Sequence, residues 1–287
     1  MNTAPQETPD VAAVLALYDE HPISAEQILA KVKAEHGSLE GLTPVDLYPH
    51  DQDHYGGLAA NDKLLDCADV RTGNRVLDLC AGLCGPARYA AAERGASMVA
   101  LEFNPGRAAG AAHLNSVTGM GGHVCVVRGD AQALPFPNAS FDAVLGQEAF
   151  LHIPDKAALL GGAYRVLRHG GRMAFTDWIA KPGLSDEDRT RLAKGIAAVD
   201  IGDEPGYRAG LAAAGFEGIE FEDLSGEWAV ILTERLAMYE RLREEAMSAD
   251  GADPHASYVA VYRHFVELAT GGMLGGMRFC ARRPAPR

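Results

Sequence analysis

The sequence predicts an α/β fold built on a doubly wound, mostly parallel sheet of seven strands. Short apolar runs alternate with helical segments, a glycine turn separates the first run from its helix, and acidic residues follow several runs. A strand, a glycine turn and a helix N-terminus form a nucleotide-sized pocket at the carboxyl edge of a parallel sheet. The predicted strands cover residues 76–79, 97–101, 124–127, 141–145, 172–176, 216–224 and 276–282, the last antiparallel at the edge.

The first strand, turn and helix span residues 75–95. Asp78 interrupts the apolar strand near its end, where a buried carboxylate needs a hydrogen-bonding partner. Gly82 and Gly85 follow, and glycine lets the backbone approach a ligand closely. An alanine-rich helix then ends at Gly95. By itself this glycine pattern also fits a tight turn without a ligand.

The later elements place polar groups at the ends of strands. Glu102 lies twenty residues beyond the glycine turn, where an acidic side chain can accept both hydroxyls of a ribose, although it also fits a helix cap. The polar segment 146–153 follows the fourth strand, where the strand order would reverse, so its side chains face both a cofactor and a second substrate. A helix is predicted over residues 155–167, with Gly170 and Gly171 ending it.

Two regions are predicted to lie outside the central fold. Residues 1–70 form an N-terminal helical cap and lid, because the segment 47–57 is dense in polar and aromatic side chains and ends in two glycines. The same segment also fits an ordinary surface loop. Residues 71–287 form the core, with a helical insertion around 227–270 whose apolar stripes are typical of core packing.

Composition excludes several classes of partner. Apolar residues make up 47% of the chain and charged residues 23%, which is ordinary for a soluble globular protein. The formal charge of −13 and the scarcity of clustered Lys and Arg argue against nucleic acid. No apolar run reaches the ~18 residues that a membrane span requires.

The five cysteines are odd in number and fall mostly in apolar strands, as reduced, buried cysteines do. The N-terminus lacks the pattern of a signal peptide, so we expect a cytoplasmic protein. Cys80 and Cys84 could be half of a metal site, but no second pair of ligands lies at suitable spacing. No metal site is therefore predicted.

An ordered series of motifs resembles class I S-adenosylmethionine (SAM) dependent methyltransferases, over roughly residues 48–283. Motif I of that family is usually written D/E-x-G-x-G-x-G, and two of its glycines are cysteines here, which implies a slightly altered loop. The motifs are DLCAGLCG at 78–85, Glu102, GDA at 129–131, FDAV at 141–144 and LRHGG at 167–171.

The resemblance implies an enzyme that uses SAM and releases S-adenosylhomocysteine. In that family the acidic residue that matches Asp130 binds the adenine amino group, and the residue that matches Ala131 lies against the ring. The cofactor-binding residues expected from the motifs are Asp78, Ala81, Gly82, Gly85, Glu102, Phe103, Asp130, Ala131 and Gln147.

The expected catalytic residues are His152 and, on the lid, Tyr55 and His54. Histidine titrates near neutrality and can take a proton from an acceptor, although His152 also fits a capping or buried neutral histidine. Resemblance to phosphoethanolamine N-methyltransferases favours a pairing of Tyr55 with His152. The side chains expected to bind the acceptor are Glu148, Phe150, Asp177 and Trp178.

The acceptor is expected to be a small molecule. The chain most resembles sarcosine and dimethylglycine N-methyltransferases, which implies methylation of a small amine or amino acid. An O-, C- or S-methyltransferase of a small metabolite is the alternative, because the fold does not name the substrate. The cysteines in motif I also leave open a non-catalytic SAM-binding protein. A dehydrogenase is disfavoured by the absence of G-x-G-x-x-G, and a homo-oligomer is left open.

Overall fold

The computed structural model describes residues 9–19, 23–52, 54–250 and 256–286. The described residues form a seven-stranded sheet of order β3-β2-β1-β4-β5-β7-β6, in which β7 alone runs antiparallel to its neighbours. The predicted fold class is confirmed. The strands are β1 (Arg75–Leu79), β2 (Ser97–Glu102), β3 (Val124–Arg128), β4 (Phe141–Gln147), β5 (Leu167–Ala180), β6 (Glu217–Asp223) and β7 (Leu274–Arg282).

Helices cover both faces of the sheet and extend beyond its carboxyl edge. Before and between the first strands they are α1 (Pro9–Asp19), α2 (Ala25–His36), α3 (Pro44–Asp51), α4 (Gly57–Cys67), α5 (Gly85–Arg94) and α6 (Pro105–Val117). The later helices are α7 (Lys156–Val166), α8 (Asp186–Ile196), α9 (Glu204–Ala214), α10 (Ser225–Asp250) and α11 (Ala256–Thr270).

Separate hydrophobic clusters hold these layers together. One face of the sheet packs against α4, α5 and α6, and the other face packs against α7 and α9. A third cluster joins α8, α10 and α11 to the end of β5, and a fourth joins α2 and α3 to α6. Burial of apolar side chains on both faces explains why the central strands are apolar at nearly every position.

Two of the N-terminal helices begin with capping boxes. Ser24 accepts a hydrogen bond from the Gln27 amide, and the Gln27 side chain accepts one from the Ser24 amide. This capping box satisfies two of the donors that a helix start leaves open. Thr43 and Asp46 form a second capping box at the start of α3.

Two predictions about strands are wrong. Gly170 and Gly171 do not end a helix but lie within β5, because α7 ends at Val166 and Leu167 already pairs with Phe141. The last strand is antiparallel as predicted, but it lies between β5 and β6 rather than at the edge. The edge strand on this side of the sheet is β6, which has one hydrogen-bonded neighbour and is exposed at almost every position.

The prediction that the cysteines are reduced is wrong for one pair. Cys67, at the end of α4, and Cys280, in β7, form a disulfide with their Cα atoms 6.0 Å apart. They are 213 residues apart in sequence, so no spacing pattern indicates the pairing. The disulfide removes the cysteine-based argument for a reducing compartment.

None of the helices in the described ranges combines the length and apolarity needed to span a bilayer.

Candidate active site

A single large cavity of about 990 Å³ opens at the carboxyl edge of the central strands. This volume is at the upper end of the range that one drug-sized ligand occupies, so the cavity has room for a nucleoside cofactor and a second small molecule. All nine predicted cofactor-binding residues and all three predicted catalytic residues line it. Side chains of α1, α8, α10 and α11 form its outer wall.

The loop between β1 and α5 has an unusual backbone. Cys80, Gly82 and Cys84 have φ angles of 57°, 55° and 62°, in the left-handed region that glycine adopts most readily. Cys80 is partly exposed and lines the cavity, whereas Cys84 is fully buried. The cysteines of motif I therefore keep the turn that glycine would make, at a cost in backbone strain.

Replacing Cys80 with glycine is expected to stabilise the protein by about 1 kcal/mol, because glycine relieves the left-handed strain. Cys125→Gly is the matched control, since Cys125 is exposed in the regular strand β3, where glycine weakens a strand. Urea denaturation should shift the midpoint upward for the first variant and downward for the second. A downward shift for both would contradict the strain assignment.

Gly85 is required by its packing against the end of α3. A Cβ at this position would collide with the backbone carbonyl oxygen of Asp51, at the end of α3. The Asp51 carboxylate forms an ion pair with Arg88 of α5 (2.9 Å), and both side chains are fully buried. Arg88 also donates to Asn115 (2.8 Å), so the start of α5 is fixed from two sides.

Three carboxylates line the part of the cavity next to this loop. Glu102 accepts hydrogen bonds from the backbone amides of Gly82 (2.7 Å) and Asn104 (2.8 Å). Asp130 accepts from the amide of Gln132. Burial, together with the nearby charge of Glu102, raises the pKa of Asp78 to about 7. In the described ranges no hydrogen bond reaches the Asp78 carboxylate, so a cationic ligand would stabilise its charged form.

The same part of the cavity offers surfaces for an adenine ring. Phe103 and Ala131 line it beside Leu101. The Gln147 amide nitrogen is buried and has no hydrogen-bond partner among the residues that the structure describes, so it can donate to a ligand. This part of the cavity therefore combines carboxylates, apolar surfaces and an unpaired hydrogen-bond donor. SAM fits it, because SAM carries a ribose, cationic groups and an adenine ring.

His152 lies at the end of a short 3-10 turn, Phe150–His152, that follows β4. Its Nδ1 is 2.9 Å from the carbonyl oxygen of Ala197, which can only accept, so Nδ1 carries the proton and Nε2 has the lone pair of a neutral ring. Burial lowers the pKa of His152; the contact with Ala197 opposes this shift, and the charge of Lys156 adds to it. His152 is therefore a neutral proton acceptor at pH 7.

The hydroxyl that contacts His152 is that of Tyr18, not that of Tyr55. Tyr18 O–H lies 3.0 Å from His152 Nε2 and donates to it. The Arg107 guanidinium lies 4.8 Å from the centre of the Tyr18 ring, and the Arg107 side chain passes next to Gly82. The end of α1 thus contacts the histidine directly, and Arg107 of α6 lies between Tyr18 and the glycine loop.

Tyr55 is held inside the lid by contacts on several sides. Its backbone N–H donates to the Glu148 carboxylate (3.0 and 3.2 Å), and its ring packs against Trp178 and Trp228. The Arg235 guanidinium lies 4.6 Å from the centre of the same ring. These contacts assign Tyr55 a place in the wall of the cavity, and burial raises the pKa of its hydroxyl.

The lid histidine has polar partners of its own. His54 is buried and its Nε2 lies 2.9 Å from the side-chain oxygen of Gln52. The same oxygen accepts from Asn61 (2.7 Å), and the Gln52 amide donates to Asp51. His54 therefore belongs to a polar chain that runs from the lid to the buried Asp51–Arg88 pair.

The structure does not bring all four predicted acceptor residues to the cavity. Glu148 and Trp178 line it, whereas Phe150 and Asp177 do not. Phe150 is fully buried in the core and packs against Phe175. Asp177 is fully buried and accepts from Tyr207 and from the Leu151 amide. Each of the two residues is followed by a residue that lines the cavity, Leu151 after Phe150 and Trp178 after Asp177. The side chains of Phe150 and Asp177 point away from the cavity.

The outer wall of the cavity is mostly apolar and was not recognised in the sequence. Arg235 lies in an apolar stripe of α10 that the sequence analysis interpreted as core packing. A cation within such a stripe was the one sign that this helix lines a cavity. Tyr18 carried no signal, because nothing in the sequence connects the end of α1 with residue 152. The unrecognised lining residues include Val14, Leu17, Tyr18, Ile196, Arg235, Tyr239, Val259, Val261, Tyr262 and Phe265.

Comparison with known proteins agrees with the fold. Residues 77–175 match the methyltransferase domain family model. The chain is 32% identical over 228 residues to the 27-O-demethylrifamycin SV methyltransferase of Amycolatopsis mediterranei, covering 78% of this chain and 82% of that protein. The chain belongs to the class I SAM-dependent methyltransferases.

Other relatives differ in length from this chain. The glycine/sarcosine/dimethylglycine N-methyltransferase of Actinopolyspora halophila is 28% identical over 72% of this chain, which spans 36% of that protein. Phosphoethanolamine N-methyltransferase 2 of Haemonchus contortus, in complex with phosphomonomethylethanolamine and S-adenosylhomocysteine, superposes with a TM-score of 0.73 at 23% identity. That alignment covers 82% of this chain and 55% of the Haemonchus chain, and it shows the shared fold.

Proposed function

We propose that this methyltransferase transfers the methyl group of SAM to the hydroxyl oxygen of a small molecule with an apolar body, with His152 as general base. The observation that carries the proposal is the neutral His152 ring, whose Nε2 lone pair lies at a mostly apolar cavity. A hydroxyl is a poor nucleophile until its proton is removed, and a positioned base typically contributes 10²–10⁴-fold to such a step.

The residues beside the glycine loop would hold the cofactor. Glu102 would accept the ribose hydroxyls, Asp78 would face a cationic group, and Asp130 and Gln147 would contact the adenine or its surroundings. When bound, SAM supplies a methyl group that is already activated by a sulfonium. The task left to the protein is therefore to place an acceptor and to remove its proton.

His152 would take that proton at Nε2. The acceptor hydroxyl would occupy the position that the Tyr18 hydroxyl has at this nitrogen. The Nδ1 proton stays on the Ala197 carbonyl oxygen, which fixes the ring orientation and stabilises the imidazolium that forms. Tyr18 and the rest of α1 would cover the bound acceptor and exclude water.

The acceptor wall favours a neutral group over an ammonium. Of the two carboxylates expected to bind an amine, Asp177 does not line the cavity and Glu148 already accepts the backbone N–H of Tyr55. Burying a cation without paired carboxylates is costly, whereas a hydroxyl in an apolar cavity needs one acceptor, such as His152. The relative aligned over most of both chains is named for methylation at an oxygen.

N-methylation of a small amine or amino acid is the second candidate. Glu148 and the indole of Trp178 both line the cavity, and a carboxylate beside aromatic rings can bind a methylated ammonium. Relatives named as glycine, sarcosine and dimethylglycine N-methyltransferases also support it.

A matched acceptor screen separates the two candidates. S-adenosylhomocysteine release would be measured with 2-naphthol and 2-naphthylamine, with 4-phenylphenol and 4-phenylaniline, and with glycine, sarcosine and dimethylglycine. We expect release with the hydroxyl member of each pair, and a methyl ether as the product. Release with the amines alone would overturn the hydroxyl assignment in favour of N-methylation. The His152→Gln variant, run alongside, identifies release that does not depend on the proposed base.

A further inference from the structure

We propose that Asp177 and Tyr207 are positioning residues that hold the turn carrying His152, rather than acceptor ligands. The proposal deepens the proposed function, because it rests on His152 as the base. It starts from two hydrogen bonds: the Tyr207 hydroxyl donates to Asp177 Oδ2, and Asp177 Oδ1 accepts the amide of Leu151 (3.3 Å), the residue before His152.

Asp177 is placed where it can act on the turn and not on a ligand. Its side chain is fully buried, and the adjacent Trp178 lines the cavity in its place. Tyr207 is 2% exposed and belongs to α9, on the face of the sheet that α7 also covers. A buried carboxylate is costly unless donors satisfy it, and the two donors of Asp177 tie the turn to α9.

Several further hydrogen bonds hold the turn. The Leu151 carbonyl accepts from the Asp200 amide (3.0 Å), and His152 Nδ1 donates to Ala197. The Lys156 ammonium donates to the Ile153 carbonyl (3.2 Å). Asp177 supplies the remaining link by accepting the Leu151 amide, and it connects the turn to β5.

The carboxylate must be charged to accept both donors. Burial raises the pKa of Asp177 to about 6, while the Tyr207 hydroxyl, the Lys156 charge and the Leu151 amide oppose that rise. The Lys156 ammonium is itself paired with Asp200. Asp177 is therefore ionised at pH 7 and accepts hydrogen bonds from both sides, which aligns the turn with the strand.

Alignment of this kind affects turnover more than binding. A catalytic group displaced by about 1 Å can lose on the order of 100-fold in rate, because the reacting atoms no longer meet in line. The carboxylates proposed to bind the cofactor lie on β1, β2 and the segment after β3, and the hydrogen bonds that link Tyr207, Asp177 and Leu151 reach none of them. Loss of the Asp177 link should thus change kcat and leave the affinity for SAM intact.

Three variants and a matched control test the proposal. Asp177→Leu removes both acceptor oxygens at similar size, Asp177→Asn keeps one oxygen for the Leu151 amide, and Tyr207→Phe removes only the hydroxyl. Tyr164→Phe is the control, since Tyr164 packs on the same face against Phe216 and takes no part in these two hydrogen bonds. Circular dichroism and calorimetric SAM titration would check folding and cofactor binding.

We expect kcat to fall by about tenfold or more in Asp177→Leu and Tyr207→Phe, with SAM affinity within about twofold of wild type. Asp177→Asn should recover most of that loss, and Tyr164→Phe should leave kcat unchanged. Equal loss in Asp177→Asn and Asp177→Leu would overturn the proposal, as would unchanged kcat in Tyr207→Phe.

A readout that needs no turnover separates this proposal from the proposed function. The ¹⁵N shifts of the His152 ring, assigned with His152→Gln, report its tautomer and its pKa. We expect Tyr207→Phe to shift the His152 ring away from a single Nδ1–H tautomer, while Tyr164→Phe leaves it unchanged. If His152→Gln retains full turnover, the proposed base fails; identical His152 shifts in wild type and Tyr207→Phe would instead overturn the positioning role.

Discussion

Replacing His152 with alanine is expected to lower kcat by about 10²–10⁴-fold and to leave the affinity for SAM unchanged. The neutral ring lines the cavity, and the Ala197 carbonyl oxygen holds the proton on Nδ1, so Nε2 is the nitrogen that can accept a proton. The cofactor-binding carboxylates lie on other strands, so their geometry does not depend on His152. Initial rates with a hydroxyl acceptor and calorimetric SAM titration would measure the two effects separately.

Tyr18→Phe is the matched control for that experiment. It removes the hydroxyl that donates to Nε2 and leaves the base in place, so we expect a change in kcat much smaller than for His152→Ala. The pH dependence gives a second check. Because burial holds the pKa of His152 below 6.5 and raises that of Asp177 to about 6, activity at saturating SAM should be constant from neutral to mildly alkaline pH and fall as the pH drops through these two pKa values. Full activity of His152→Ala would exclude the histidine as the base.

The second large effect is expected at the ribose position. Glu102→Ala should weaken SAM binding by at least about 100-fold, because two hydrogen bonds to a charged acceptor contribute about 1.5–3 kcal/mol each. The structure adds a consequence for stability. Glu102 also accepts the amides of Gly82 and Asn104, so its loss should reduce the free energy of unfolding by about 1–3 kcal/mol. Calorimetry with SAM and urea denaturation would measure both.

Glu102→Gln separates these two roles. The amide keeps one acceptor oxygen for the loop and loses the charge, so the fold should be nearly as stable as wild type while SAM binds more weakly. Unchanged SAM affinity in Glu102→Ala, with the protein still folded, would refute the ribose assignment and leave Glu102 a loop-stabilising residue.

Most of the fold could be predicted because its strands are local patterns. The apolar runs that form β1, β2 and β4 are buried on both faces, and burial on both faces requires an apolar residue at nearly every position. The helix that ends at Val166 was predicted to continue to Leu167, and the error has a local cause: Gly170 and Gly171 resemble a helix stop but lie in a long strand. The position of β7 inside the sheet is set by pairing with two strands, which no local pattern encodes.

The residues that the sequence predicts to bind the cofactor all line one cavity. Glu102 and Asp130 each end or follow a strand, so the alternation of elements brings them to one edge of the sheet. The acceptor side of the cavity was not predictable from the sequence, because it is assembled from helices that are distant in sequence. Tyr18 meets His152 across 134 residues, and Arg235 meets the Tyr55 ring from α10.

The sequence by itself determined the class of fold, the glycine loop and the carboxylates that follow the strands, because each depends on residues close together in the chain. Only the tertiary structure decided which hydroxyl contacts His152, which cysteines pair, and that Asp177 faces the core while Trp178 faces the cavity. Those outcomes depend on packing between distant elements, where a shift of one position along a strand moves a side chain to the opposite face.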